Sequence, residues 1–370
     1  MKVSWWKTEL KNNEAEAAAN AVRNRHISNG LVSEQFEKAF AEILGVKYAV
    51  TAPCGTMALV MSLLAHSISV GDEIILPAST WISTAHAPLL IGAKPVLVDV
   101  QRERPLIDHH QIEAKITEKT KAIIPVHING MSADMGEITK VAEKHGLIII
   151  EDACQALLSK NKDGFLGTQS NAGCFSLGAT KLITTGQGGM VVTDDAHVYR
   201  RLKLLKNNGM EDINTPHYIQ AGANFKFSDI LAAVGLEQLK VLDEHAKRVK
   251  DIYMRYKLSI KTPHMSLIPA DVENGEVPVY TEALTERRQE LLEYAKERNI
   301  DLRVLPPGLR HAPQFECNES FPNAEKFGTE GLYLPSGPGQ SDEGIDYVIE
   351  HINAFEGIRE YVDHLSWLLK

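Results

Sequence analysis

The chain reads as an α/β protein: a large domain on a mixed, mostly parallel sheet flanked by helices, followed by a smaller C-terminal α/β domain. Three observations predict this. From about Gly30 to Asp195, short strand-like runs alternate with helical stretches, the pattern of parallel strands joined by crossover helices. Leu147-Ile148-Ile149-Ile150 is an unbroken apolar run, as a strand buried on both faces requires. Finally, an amphipathic stretch from about Asp229 to Leu258 carries Ile230, Ala233, Val234, Leu236, Leu239 and Leu242 near helical spacing. Its length suits a helix that leaves the large domain and feeds the small one. The boundary is set accordingly, with 1–245 as the large domain including its N-terminal segment and 246–370 as the small one.

The strands expected in the large domain are Tyr48–Thr51, Glu73–Leu76, Pro95–Val98, Ala122–His127, Ile148–Asp152, Gly173–Ser176 and Gly189–Thr193. Thr56–His66 and Met135–Lys144 read as helices between them. Thr262–Val279 contains Pro and Gly and reads as a connector. Beyond it come a helix over Thr285–Arg298, an edge segment Asp301–Val304 and a last helix capped by Ser341. Asp342 and Glu343 stand in the first turn of that helix, where acidic groups complement its dipole.

Composition narrows the function. At 370 residues, with 44% hydrophobic and 24% charged residues, the chain has the make-up of an ordinary globular protein with a large core. A formal net charge of −9 argues against a broad nucleic-acid surface. No stretch is long and apolar enough to span a bilayer, and Met1–Lys7 lacks an apolar signal core, so a cytoplasmic location is expected. Cys54, Cys154, Cys174 and Cys317 show no CxxC spacing, and reduced thiols are expected in place of disulfides or a metal site.

The chemistry concentrates in Glu151–Val192. A buried strand ends in Glu151-Asp152, Gln155 follows, and Gly173-Cys174-Phe175-Ser176 forms the next strand. Lys181 comes five residues after Ser176, ahead of the glycine loop Thr184-Thr185-Gly186-Gln187-Gly188-Gly189. A strand-end Asp, with a Lys set between a Ser and a glycine-rich turn, is what a pyridoxal 5′-phosphate (PLP) site needs. Lys181 would form the Schiff base and then move protons, and Asp152 would hold the pyridine nitrogen protonated. A carboxylate at a buried strand end is costly unless paired, so a cationic partner is expected for it.

This segment resembles the DegT family of PLP-dependent sugar aminotransferases, of fold type I. The resemblance extends over nearly the whole chain. It includes Phe36-Glu37-Lys38-Ala39-Phe40-Ala41, Gly45-Val46-Lys47-Tyr48-Ala49-Val50 and Cys54-Gly55-Thr56-Met57-Ala58-Leu59. Gly71-Asp72-Glu73-Ile74-Ile75-Leu76-Pro77, Pro125-Val126-His127, Asn224-Phe225-Lys226 and Tyr333-Leu334-Pro335-Ser336-Gly337-Pro338 follow in the family's order. The resemblance implies that Gln155 bonds the cofactor's 3′-oxygen, and that Gly55 and Thr56 hold its phosphate at a helix N-terminus with Ser176 as a second ligand. It also implies that Asn224 reaches that phosphate from the neighbouring subunit of a homodimer. Trp81 matches the aromatic that stacks on the cofactor ring, with a core tryptophan as the competing reading. His127 is either near the site or a structural histidine. Gly130 and the loop after it are expected to line the cavity. His311, with Arg310, stands in a loop that either touches substrate or is solvated surface.

The family also contains dehydratases with a histidine at the position of Lys181, so the lysine points to transamination. The implied reaction takes an amino group from L-glutamate, with L-glutamine the alternative donor, to a ketosugar. A nucleotide-linked 4-keto-6-deoxyhexose, feeding surface glycan or antibiotic sugars, is the acceptor many relatives use. A ketocyclitol or free keto-sugar acid stays open, as do a different PLP reaction such as elimination and a non-catalytic PLP-binding regulatory protein. Departures from the family pattern fall at Ala156-Leu157-Leu158-Ser159, Gln187 and Lys226, and the segment Asp271–Leu284 aligns least securely.

Overall fold

The computed structural model describes residues 1–355 except 213, 216, 316 and 317, so Cys317 lies outside the described residues. Helices α1 (Asn12–Arg23) and α2 (Leu31–Leu44) precede strand β1 (Tyr48–Ala52). The chain continues through α3 (Gly55–Ala65), β2 (Glu73–Pro77), α4 (Ser83–Leu90), β3 (Lys94–Val98), β4 (Thr120–Ile123), α5 (Met135–His145) and β5 (Ile148–Asp152). A hairpin of β6 (Lys160–Asn161) and β7 (Gly164–Phe165) leads to β8 (Ala172–Ser176) and β9 (Gly189–Thr193).

The large sheet has the order β1-β9-β8-β5-β4-β2-β3. β8, β5, β4, β2 and β3 pair in parallel. β9 is antiparallel to both of its neighbours, β1 and β8. Six strands therefore run one way and β9 alone runs against them. The carboxyl ends of β1, β2, β5 and β8 consequently share one sheet edge with the start of β9, the edge where open α/β sheets bind ligands. Every residue of β2 is buried, and α3, with eight of its residues buried, is apolar on most of its surface because it is covered by the sheet and by neighbouring helices.

After α6 (Ala196–Lys206) come α7 (Asp229–Lys240) and α8 (Leu242–Ser259). The single long helix expected over Asp229–Leu258 is thus two helices, broken where Val241 leaves helical geometry at φ −109°, ψ 7°. The remainder holds β10 (Ser266–Leu267), inside the expected connector, then β11 (Thr281–Leu284), α9 (Arg288–Glu297), β12 (Arg303–Val304), α10 (Pro322–Glu330), β13 (Gly331–Leu334) and α11 (Asp342–Asn353). The second sheet, β10-β11-β13-β12, is antiparallel throughout. It has its own apolar cluster, in which Leu332 and Leu334 meet Ile252 and Tyr256 of α8, Leu291 of α9 and Ile345 of α11.

The strand expected over Ala122–His127 ends at Ile123, because Pro125 has no N–H to give the ladder. Pairing resumes beyond it as a single parallel bridge between Val126 and Asp152. The Ser341 cap of α11 is as expected, its hydroxyl accepting from the Gly344 N–H at 3.1 Å. Among the described residues no helix is long and apolar enough to cross a membrane.

Candidate active site

The shared strand ends open into a cavity of about 700 Å³. One wall belongs to the large sheet and carries Gly55, Thr56, Asp152, Gln155, Ser176 and Lys181. The facing wall comes from β12, the loop after it and the aromatic group Trp5, Tyr280 and Tyr333. Seven of the sequence-predicted cofactor residues, including Trp81, therefore meet in one cavity.

Asp152 closes β5, and its side chain is buried. Its Oδ2 accepts a hydrogen bond from Thr84 Oγ1 at 2.8 Å, and its Oδ1 accepts from the Cys154 N–H at 3.1 Å. Thr84 is held in turn by Thr80, 3.0 Å away. The expected cationic partner is not found among the described residues, so a buried carboxylate faces the cavity with hydrogen bonds but no counter-charge. A protonated ring nitrogen fits that position.

Its neighbour Glu151 points to the opposite face, as strand geometry demands. There it accepts from the Gly167 N–H (2.7 Å), the Gln169 N–H (2.7 Å) and Ser170 Oγ (2.8 Å). His127 Nε2 lies 2.9 Å from Glu151, while His127 Nδ1 accepts from the Ala133 N–H at 3.2 Å. The proton is therefore on Nε2, both ring nitrogens are committed, and His127 lies outside the cavity lining. Gly130 is also absent from the lining, contrary to expectation. At φ +77° it packs so closely on Val277 and Ser159 that a Cβ would fall 2.0 Å from the Val277 carbonyl oxygen.

Lys181 sits in the loop between β8 and β9, its Nζ 6.0 Å from the centre of the Tyr280 ring. Tyr280 is fixed because its hydroxyl donates to the Thr180 carbonyl at 2.8 Å. Asn129 locks a second part of the wall. Its N–H donates to Gln155 Oε1 at 2.9 Å, and its side chain exchanges two 2.6 Å bonds with the Tyr280 backbone. With Oε1 taken, Gln155 keeps its Nε2 as a donor toward the cavity, suited to a phenolate-like oxygen.

Cys54 at the N-cap of α3 makes no side-chain cap, so the N–H groups of the first turn stay open to an anion. Residue 55 must be glycine, because a Cβ there would stand 2.8 Å from Cys154 Sγ and 3.0 Å from Ser176 Cβ. This close approach places the Ser176 hydroxyl beside the helix start, where it suits a phosphate. Burial pushes the Cys154 and Cys174 thiols up, so they are neutral, and the three described cysteines are unbridged. Trp81, 52% exposed, is no core tryptophan; it presents its indole to the cavity, as a stacking partner for a flat ring must.

Asn224 lies outside its own chain's cavity and is exposed. His311 lines the cavity, whereas Arg310 turns away to pair with Glu325 at 2.7 Å. The residues that sequence reasoning missed are Thr84, Asn129, Tyr280, Arg303 and the Trp5–Tyr333 aromatic group, whose ring centres are 5.8 Å apart. Arg303 lies over the Trp5 ring at 4.6 Å and meets no carboxylate among the described residues. The Trp5-Trp6 pair was the one available sign of an N-terminal segment folded onto the site.

The residues therefore fit PLP on every side: a lysine, an unpaired buried acid, a helix start with a hydroxyl, a free amide donor and an open aromatic face. Comparisons with known proteins agree. Residues 8–353 match the model of the DegT/DnrJ/EryC1/StrS aminotransferase family. The chain is 37% identical over 336 residues to GDP-perosamine synthase of Escherichia coli O157:H7, covering 89% of this chain and 91% of that one. It is 34% identical over 362 residues to the spore coat polysaccharide biosynthesis protein SpsC of Bacillus subtilis, covering 92% and 93%. Its fold superposes with a TM-score of 0.91 on S. venezuelae DesV, solved with a ketimine intermediate, at 30% identity over 95% of this chain and 98% of that one. The chain belongs to the DegT/DnrJ/EryC1/StrS family and is, by that membership, an aminotransferase of the fold-type-I α/β architecture.

Proposed function

We propose that the protein uses PLP to move an amino group from L-glutamate to a nucleotide-linked 4-keto-6-deoxyhexose, making an aminosugar. The observation that carries this is the meeting of Lys181 and the unpaired Asp152 in one cavity. Similarity to a GDP-perosamine synthase supports the sugar class.

When bound, the cofactor supplies an electron sink for the pair released as the donor loses its Cα proton. Asp152, steadied by Thr84, would keep the ring nitrogen protonated and so maintain that sink. The start of α3 with Ser176 would hold the cofactor's phosphate, Gln155 would donate to its ring oxygen, and Trp81 would cover one face. With the cofactor held there, Lys181 would be the base that takes the Cα proton of the donor and the acid that delivers a proton to the sugar carbon in the second half-reaction. Arg303, stacked on Trp5, is a cation on the opposite wall with no carboxylate partner among the described residues, which suits the donor's carboxylate or the acceptor's phosphates.

The exposure of Asn224 outside its own cavity supports a homodimer in which each chain completes the other's phosphate site. The bend at Val241 supports a boundary between two domains close to residue 245.

The test uses purified, PLP-loaded protein. L-Glutamate should abolish the visible absorbance band, and a panel of GDP- and TDP-linked 4-keto and 3-keto sugars should then give one product that is an aminosugar by mass. Lys181→Ala should lose both band and turnover while staying folded. A band that persists with L-glutamate would indicate a sensor, and free ammonia in place of aminosugar an elimination.

A further inference from the structure

Beside Trp81 lies a second, much smaller pocket of about 20 Å³, which shares Trp81, Gln155 and Tyr333 with the main cavity and adds Glu282. That volume admits a single water-sized group. Glu282 stands on β11, directly across from Tyr333 on β13, and is 1% exposed. Its Oε2 is buried without any hydrogen-bond partner.

Burial raises the Glu282 carboxyl to about 8, against a weaker opposing pull from the Asn129 amide. The titratable and charged groups around it are Tyr333 on β13, Tyr280 just before β11, and Arg303 on β12, on the far side of Tyr333. None forms an ion pair with it among the described residues. At neutral pH Glu282 therefore holds its proton and presents a carboxylic acid. Asp152 and Glu151 are buried too, but each is satisfied by hydrogen bonds; Glu282 has a buried oxygen that is not. A buried polar atom calls for a partner, and beside a ligand cavity a polar group of the ligand is placed to supply it.

Building on the sugar-aminotransferase reading, we propose that this pocket is a subsite for one hydroxyl of the acceptor sugar, bound by the Glu282 carboxyl. The pocket is too small for a carboxylate with its carbon, which argues for the acceptor's hydroxyl over the donor's acid group. An apolar residue at 282 would pack as well but would leave a sugar hydroxyl unpaired, so the acid makes the site selective.

The experiment measures the two half-reactions separately in PLP-loaded wild type, E282L and E282Q. Its probes are L-glutamate and whichever GDP- or TDP-linked 4-keto-6-deoxyhexose the wild type aminates faster. E282L should raise the acceptor KM about tenfold, leave kcat within about twofold and leave the L-glutamate half-reaction unchanged. E282Q, whose amide can also donate, should stay within about threefold of wild type in acceptor KM. The visible band and an undiminished Tm verify that both variants fold and load cofactor. An unchanged acceptor KM in E282L, meaning that the pocket holds only water, overturns the subsite. An equal loss in the L-glutamate half-reaction does so as well. A wild type that aminates none of the sugars overturns the functional reading itself, and the subsite with it.

Discussion

The two walls of the cavity are built differently. On the large-sheet wall Lys181 sits in the loop between β8 and β9, while three groups stand at the end of a strand or the start of a helix: Asp152 on β5, Ser176 on β8, Gly55 on α3. These positions are fixed by the ladder itself. The opposite wall is made of a two-residue edge strand, Arg303–Val304, and the loop behind it, and is joined to the sheet by single bonds such as the Leu309 N–H to the Ala78 carbonyl at 2.8 Å. The lesson is a division of labour. The large-sheet wall carries the groups placed to hold the cofactor, which serve both half-reactions, and the opposite wall carries groups placed to meet the two substrates.

A substitution on the rigid wall should therefore damage both half-reactions alike. Asp152→Asn keeps the shape and the Thr84 contact but removes the charge that holds the ring nitrogen protonated. Its turnover should fall about 10²–10³-fold with L-glutamate and with the sugar, with KM values little changed. Stopped-flow measurement of each half-reaction checks this. A loss confined to one of them would break the proposed division between the walls.

The next effect is smaller and concerns which chain builds the rigid wall. If Asn224 completes the partner's phosphate site, neither Lys181→Ala nor Asn224→Ala homodimers carry an intact site, but each mixed dimer carries one. Random reassociation makes half of the dimers mixed and leaves half of their sites intact, so about a quarter of wild-type activity should return. Activity equal to the mean of the two separate variants would place Asn224 outside the site.

How far the sequence disclosed the site follows the same line. Asp152 and Lys181 stood out as candidates because each is marked by its own neighbours, a buried strand before the one and a glycine turn after the other, whereas Gly55 and Ser176 came with the family resemblance. Thr84, Asn129 and Tyr280 did not stand out, because they act through contacts 68, 26 and 100 residues away. Asn129 works only from a left-handed backbone conformation, φ 51°, that its local sequence does not announce. His127 was left between two readings for a simpler reason. Its N–H bonds the Asp152 carbonyl, yet its ring pairs with Glu151 on the other face. The break at Val241 was invisible because the apolar spacing runs through it without Pro or Gly. The fold followed from pattern, whereas the substrate wall depended on chain segments meeting across the molecule.

The last expected effect is one of stability, and it tests Glu282 without any substrate. A carboxyl that ordinarily titrates near 4.5 but is raised to about 8 in the folded chain binds its proton more tightly folded than unfolded. Its contribution to stability is complete below pH 4.5, erodes as pH rises toward 8, and is spent above that. Wild type should therefore lose stability across this window relative to both E282L and E282Q, by on the order of a few kcal/mol. Comparing the proteins at each pH removes the titrations they share, including that of the buried Glu37–Lys206 pair. Urea unfolding midpoints from pH 5 to 8.5 supply the measurement. Curves that stay parallel would mean that the Glu282 carboxyl finds a partner or solvent in the folded protein. The substrate wall would then lack the poised neutral acid that sets it apart from the strand-end carboxylates opposite.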